Sequence, residues 1–205
     1  MTRLKLKKLE EYLQCVDGFE KPKILLEQYP TPPHIAACMT HCMQEQHGDI
    51  EGKLVADLGC GCGMLSIGAT LLGAQLTVGF ELDDAAVDIY RQNVLDMELP
   101  NVDCIRANVL QLPCSKWDNA FDTVVMNPPF GTKHNAGMDM RFLDVGMRLA
   151  TGAVYSLHKT STRQRREKCE CYQCHQLQTV QDQIEVLMVD PNHSRRSEIA
   201  VNHLL

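Results

Sequence analysis

No apolar run in this 205-residue chain is long enough to span a bilayer. The first residues, MTRLKLKKLEEYL, lack the continuous apolar stretch and small-residue cleavage site of a signal peptide. Both absences lead to the expectation of an intracellular protein with no membrane partner. Positive charge is also short: 20 Lys and Arg against 26 Asp and Glu leave a formal net charge of −6. Taken whole, such a chain is a poor electrostatic match for a polyanion. The length leaves little room for a separate substrate-reading domain beside one sizeable core. No internal repeat is visible, and a hydrophobic share of 44% excludes a disordered chain. The 10 cysteines, in an intracellular setting, read as reduced thiols, many of them buried, and not as a disulfide framework.

What is present is an alternation of apolar patterns. Leu4, Leu6, Leu9, Leu13 and Val16 follow helical spacing over 3–16, and a short helical turn is expected at 23–28. Thr31, followed by prolines, reads as the N-cap of a helix over about 32–46. Strands are expected at 54–58, 76–82, 102–107, 121–127 and 152–158, with helices at 64–73, 83–97 and 138–150 between them. Strands alternating with helices of this length imply βαβ units and a mainly parallel sheet. Beyond about residue 163 the pattern decays, apart from one candidate strand in QIEVLMVD (183–190).

Asp57-Leu58-Gly59-Cys60-Gly61-Cys62-Gly63 follows the first strand and opens a helix. Glycines there let the backbone turn sharply and let a ligand approach closely. Several nucleotide-binding folds use such a loop, so the details decide. Position 64 is Met, so the G-x-G-x-x-G pattern of a dinucleotide site fails. Asp57 stands at the front of the loop, where it can hold the turn or meet an amino-acid moiety. Glu81 ends the second strand, where a carboxylate can accept both hydroxyls of a ribose. The loop therefore reads as one for S-adenosylmethionine, with Cys60 and Cys62 present as small side chains that fit.

Asn127-Pro128-Pro129-Phe130 follows the fourth strand, at the carboxyl edge of the sheet. An exocyclic amine such as adenine N6 is a poor nucleophile, because its lone pair is delocalised into the ring. Two acceptors aimed at its hydrogens favour the tetrahedral geometry that attack requires. The Asn127 side-chain oxygen and the Pro128 carbonyl can supply them, Pro129 stiffens the backbone, and Phe130 can stack on a flipped-out base. The bland alternative is an Asn-Pro turn. Its place after a fourth strand, downstream of the cofactor loop, favours the catalytic reading.

With both motifs in hand, the chain resembles the small-subunit ribosomal RNA N6-adenosine methyltransferases, class I enzymes dependent on S-adenosylmethionine. The resemblance runs over about residues 5–164 and rests on GFEKPKILLEQYPTPPHIAA, VADLGCGCGMLSIG, MNPPFGTK and AVYSLHKTSTR. It implies an α/β, Rossmann-like methyltransferase sheet with N-terminal helices. Residues 1–50 would close over the cofactor, 51–163 would form the core, and 164–205 would be a divergent, poorly ordered tail. Gln28, Thr31, Gly59, Cys62 and Met64 would contact the cofactor, Glu81 its ribose and Asn108 its adenine, while Asn127 to Phe130 would hold the target base. The family pattern favours an acidic residue where Asn108 stands. The resemblance further implies ribosomal RNA as substrate, a location in nucleolus and cytoplasm, and a small zinc-bearing activator protein paired along a sheet edge.

After Arg163 the family pattern gives way to RREKCECYQCHQLQTVQDQ and a polar tail, so the last strands are expected to be missing or altered. The spacing of Cys169, Cys171, Cys174 and His175 is too compact for a tetrahedral zinc site, and no metal is expected. Basic residues cluster at Arg3, Lys5, Lys7 and Lys8 and again at Lys159, Arg163, Arg165, Arg166 and Lys168. These clusters are either solvated faces or patches flanking an RNA path. His34, His41, His134 and His158 read as surface or satisfied histidines, with contact to RNA as the alternative for His158. Trp117 reads as a packing residue. Three rival functions remain: N5-glutamine methylation of a protein, guanine-N2 methylation, and an inactive spliced or frame-shifted remnant that only binds cofactor or partner.

Overall fold

The computed structural model describes residues 4–129, 137–159, 173–178 and 183–191. Five apolar runs become strands that pair in parallel: β1 (Leu54–Leu58), β2 (Leu76–Glu81), β3 (Val102–Arg106), β4 (Phe121–Met126) and β5 (Ala150–Lys159). Between and before them lie α1 (Leu6–Leu13), α2 (Pro33–Cys42), α3 (Met64–Leu71), α4 (Asp84–Asp96), the single turn α5 (Cys114–Trp117) and α6 (Met138–Leu149). The strand order is β3-β2-β1-β4-β5-β7-β6, with β6 (Gln173–Gln178) and β7 (Gln183–Val189) completing a seven-stranded sheet. From β1 the chain moves outward to β2 and β3, then returns to lay β4 on the other side of β1. That reversal opens a crevice at the carboxyl ends of β1 and β4, where folds of this kind seat their ligands.

The strands read as continuous apolar runs because helices cover both faces. Val55 and Val125 join Leu9, Leu13 and Met39 in a core under α1, α2 and α3. Their chain neighbours Ala56 and Val124 point the other way, into a second core with Phe80 and Leu143 under α6. Trp117 packs edge-on to Phe80 at 5.3 Å and stacks on Phe121 at 6.0 Å, as the packing reading requires.

Three expectations change. Helix α1 is shorter than the 3–16 pattern. Thr31 is not the N-cap of α2: Pro32 holds that position, and prolines at the helix start leave fewer N–H groups to cap. The Thr31 hydroxyl is instead turned toward the crevice.

The third change is at the end of the sheet. The last strands are not missing, since β7 runs antiparallel to β5 and carries β6 on its far side. The candidate strand at 183–190 is realised in β7. The strand β6 carries no alternation, and it is held by its pairing with β7. Cys169 and Cys171 lie outside the described residues, as do Arg3, His134 and Arg163 to Lys168. Of Lys159, Cys174 and His175 only the backbone, in β5 and β6, is described.

Candidate active site

Leaving β1, the chain turns through Gly59 to Gly63 and enters α3. Gly61 and Gly63 have φ of +53° and +97°, in the region that favours glycine. A Cβ on Gly61 would lie 2.9 Å from the Phe19 ring, and one on Gly63 2.9 Å from the Tyr90 ring. Across the loop, Glu81 ends β2. Its carboxylate is oriented by three backbone donors, the N–H groups of Gly61 (2.9 Å), Leu82 (2.8 Å) and Asp83 (2.9 Å). Asp57 lies beneath the loop, only 1% exposed, and accepts a 2.6 Å hydrogen bond from Ser66 Oγ. Burial raises its carboxyl to about 7 despite that bond, and the nearby Glu81 charge adds to the rise.

The two loop cysteines are inert in this setting. Burial pushes the Cys62 thiol up to about 12, with help from the carboxylates of Glu81, Asp17 and Asp83. Cys60 is buried 3.6 Å from the Cys104 sulfur, and burial raises its thiol well above the ordinary value. Neither thiol is ionised at neutral pH, so neither acts as a nucleophile.

The N-terminal segment is strapped across this loop by polar clamps. Asn93 of α4, 2% exposed, accepts from the Asp17 N–H (2.9 Å) and donates to the carbonyls of Asp17 (3.0 Å) and Cys62 (2.9 Å). Farther along, Asp83 pairs with Lys23 Nζ and accepts from Gln28 Nε2 at 2.7 Å. The Gln28 oxygen accepts from the Lys23 N–H at 2.7 Å. The Gln28 amide is thus spent on holding the strap, although its side chain still borders the crevice.

At the end of β4, Asn127 Nδ2 donates to Thr31 Oγ1 at 2.9 Å. Asn127 Oδ1 is buried and has no hydrogen-bond partner among the described residues. Buried polar atoms are nearly always paired, so an orphaned acceptor at the mouth of a crevice marks a place for a donor from outside.

These groups surround a single cavity. Thr31, Asp57, Gly59, Cys62 and Met64 line it, and so do Glu81, Asn108, Asn127 and Pro129. Asn108 Oδ1 also accepts from the Leu110 N–H at 3.0 Å, which fixes the side chain where the wall turns. Pro128 is buried behind the lining, and Phe130 lies outside the described residues. His158 is fully buried in β5, with Nδ1 3.5 Å from Asp139 Oδ2, so it offers no surface to RNA. Sequence reasoning missed Phe19, Val109 and Phe142 in the wall, and Asn93 behind it. Asn93 alone left a local signal, because asparagine is a poor helix former in mid-helix.

The lining suits S-adenosylmethionine in kind: a fixed carboxylate for hydroxyls, apolar walls at Val109 and Phe80 for a ring, and a glycine turn that admits a close ligand. The methyltransferase small domain family matches residues 36–162. The rRNA N(6)-adenosine-methyltransferase of Drosophila melanogaster is 81% identical over 163 residues, 80% of this chain and 76% of its own length. That of Danio rerio is 60% identical over 80% of this chain and 79% of its own. A crystal structure from Pyrococcus horikoshii, 33% identical, superposes with a TM-score of 0.78 and covers 93% of this chain and 98% of that one. A Thermus thermophilus 16S rRNA N2 G1207 methyltransferase bound to AdoMet and guanosine, 24% identical over 76% of this chain and 42% of that one, shares the fold with a TM-score of 0.59. The chain therefore belongs to the rRNA N(6)-adenosine-methyltransferase family, S-adenosylmethionine-dependent enzymes built on the methyltransferase small domain.

Proposed function

We propose that this protein methylates N6 of an adenosine in small-subunit ribosomal RNA. The observation that carries the reading is Asn127 Oδ1, a buried acceptor at the end of β4 without a partner among the described residues, on the wall of the cavity. Adenine N6 brings the donor that this oxygen lacks. The Pro128 carbonyl would take the second N6 hydrogen, and the pair would draw the nitrogen toward tetrahedral geometry with its lone pair free of the ring. Each acceptor placed where positive charge develops is worth about 3 kcal/mol, by analogy with a single oxyanion-hole contact.

When bound, S-adenosylmethionine supplies a methyl group on a cationic sulfur. The chain's own residues would hold and orient it: Glu81 for the ribose, Asn108 and Val109 for the adenine, and Gly59, Cys62 and Met64 along the loop. Asp57 lies beneath that loop and steadies it. Gln28 keeps the strap closed, and Phe130 would stack on the target base. No side chain has to become a covalent nucleophile, so positioning supplies most of the rate.

The reading extends to a partner and a place. A small zinc-bearing activator protein would pair along one of the sheet's outer strands, β3 or β6, where backbone groups face outward. Acting on an rRNA substrate, the enzyme would work in the nucleolus and cytoplasm. Incubation of the chain, with and without the activator, with radiolabelled S-adenosylmethionine and purified ribosomal subunits tests the reading. Label recovered as N6-methyladenosine in small-subunit RNA supports it. Label in the large subunit, in guanine or in protein glutamine replaces it, and cofactor binding without any transfer identifies a remnant.

A further inference from the structure

Thr31 and Asn127 lie 96 residues apart in sequence and meet at 2.9 Å across the mouth of the cavity. A side-chain amide can present either its oxygen or its nitrogen to an incoming group, and the two choices are chemically opposite. An oxygen facing the target amine accepts a hydrogen, whereas a nitrogen there repels the amine's own hydrogens. In Asn127 the choice follows Thr31: while that hydroxyl turns its own hydrogen into the cavity, its oxygen receives the Nδ2 hydrogen and leaves Oδ1 as the buried acceptor without a partner among the described residues. Thr31 is itself 7% exposed and borders the cavity, with its own hydroxyl hydrogen left to donate into it.

We infer that Thr31 is the positioning residue that sets the catalytic orientation of Asn127, and that it ties this orientation to closure of the N-terminal strap. This inference rests on the proposed amine methylation and names a further residue of the same site.

The tie is continuous in the structure. Glu81 accepts from the Asp83 N–H at 2.9 Å, Asp83 holds Gln28 at 2.7 Å and pairs with Lys23, and Gln28 lies three residues before Thr31. The prolines at 30, 32 and 33 stiffen the connection by fixing φ. A strap clamped beside the carboxylate that faces the cofactor therefore delivers the Thr31 hydroxyl to Asn127. With the strap open, Asn127 would lose its partner, and its amide could turn either way.

Two substitutions separate this role from packing and from a plain cofactor contact. Thr31→Val keeps the shape and removes the acceptor, while Thr31→Ser keeps the acceptor and removes a methyl group. The first readout is the side-chain amide resonance pair of Asn127 in the unliganded protein, assigned by its absence in Asn127→Asp. We expect the pair to shift or broaden in Thr31→Val and to stay in place in Thr31→Ser. The second readout is turnover on small-subunit RNA alongside S-adenosylmethionine affinity by calorimetry. Thr31→Val should lose roughly 10-fold or more in kcat, the scale of a misplaced reacting group. The fall in kcat at saturating cofactor should exceed any fall in cofactor affinity, and Thr31→Ser should restore kcat. Unmoved amide resonances in Thr31→Val would overturn the inference, and so would a variant that loses cofactor affinity while kcat at saturation is intact. A wild-type chain inactive on every RNA would sink the functional reading, and the amide resonances would still decide the role of Thr31.

Discussion

Ser66 donates a 2.6 Å hydrogen bond to Asp57, and this bond does not offset the burial of the carboxylate. The folded chain therefore holds the Asp57 proton to about pH 7, against 3.8 for an ordinary carboxyl. Below pH 4, folded and unfolded chains are both protonated and burial costs nothing. Between pH 4 and 7 the unfolded chain releases its proton while the folded chain keeps it, so stability falls as pH rises. Above pH 7 the full penalty is present, of the order of 4 kcal/mol. Asp57→Asn keeps an oxygen for Ser66 and removes the titration. Urea unfolding of both proteins at pH 5 and pH 8 should show the variant gaining on the wild type at the higher pH. Equal gains at both would mean that Asp57 is solvated in solution.

Gly63 makes two demands at once, a φ of +97° and a ring face where a side chain would begin. Gly63→Ala should therefore cost about 3 kcal/mol or more, strain and overpacking together, and weaken cofactor binding through the displaced loop. Gly48 has a φ of +68° with open space around it, so Gly48→Ala isolates the backbone component. That control should lose only about 1 kcal/mol and leave cofactor affinity unchanged. Similar losses for the two variants would show that the Tyr90 contact is not limiting.

The parts of this site that are contiguous in sequence were legible there. The Asp57 to Gly63 turn and Asn127-Pro128-Pro129 each stand out within a few residues, and the structure brings both to one cavity; the buried strands announce themselves as apolar runs. The contacts that orient those motifs were not legible, because they join distant segments. Thr31 reads locally as a helix cap, and nothing near it points to Asn127, 96 residues away. Asn93 reaches Asp17 across 76 residues, and a helical pattern gives no hint of it beyond an ill-suited residue type. The strand β6 escaped for a different reason: QCHQLQ has no period of its own, and its conformation comes from the neighbour it pairs with.

Strand β7 contributes to both cores. Val186 packs in the layer under α1 to α3, and its neighbour Leu187, 1% exposed, packs under α6. Leu187→Ala should destabilise the protein by about 3 kcal/mol, the usual cost of a cavity at a fully buried leucine. Leu95, 69% exposed on α4, is the matching control, with an expected change within about 0.5 kcal/mol. Chemical unfolding monitored at Trp117 distinguishes them, since that side chain packs in the same core as Leu187. If the two variants unfold alike, β7 is not part of the cooperative unit, and the enzyme's stability resides in the first five strands.

Asn127 should contribute to chemistry far more than to binding. In the proposed reaction its oxygen would meet the target nitrogen most strongly as charge develops there, so Asn127→Ala should lower kcat by about 10²–10³, the scale for one preorganised contact. Affinity for S-adenosylmethionine should change by no more than a few-fold, because Glu81 and the glycine turn are untouched. Asn127→Asp offers a finer comparison. It keeps acceptor oxygens and gives up the donor that now faces Thr31, but the Thr31 hydroxyl can rotate and donate to the carboxylate instead. Asp at this position should therefore retain more single-turnover activity than Ala, and the second substitution Thr31→Val should erase that advantage. If the Asp and Ala variants are equally slow with Thr31 intact, then the neutral amide itself, and not merely an acceptor in the right place, is what the amine requires.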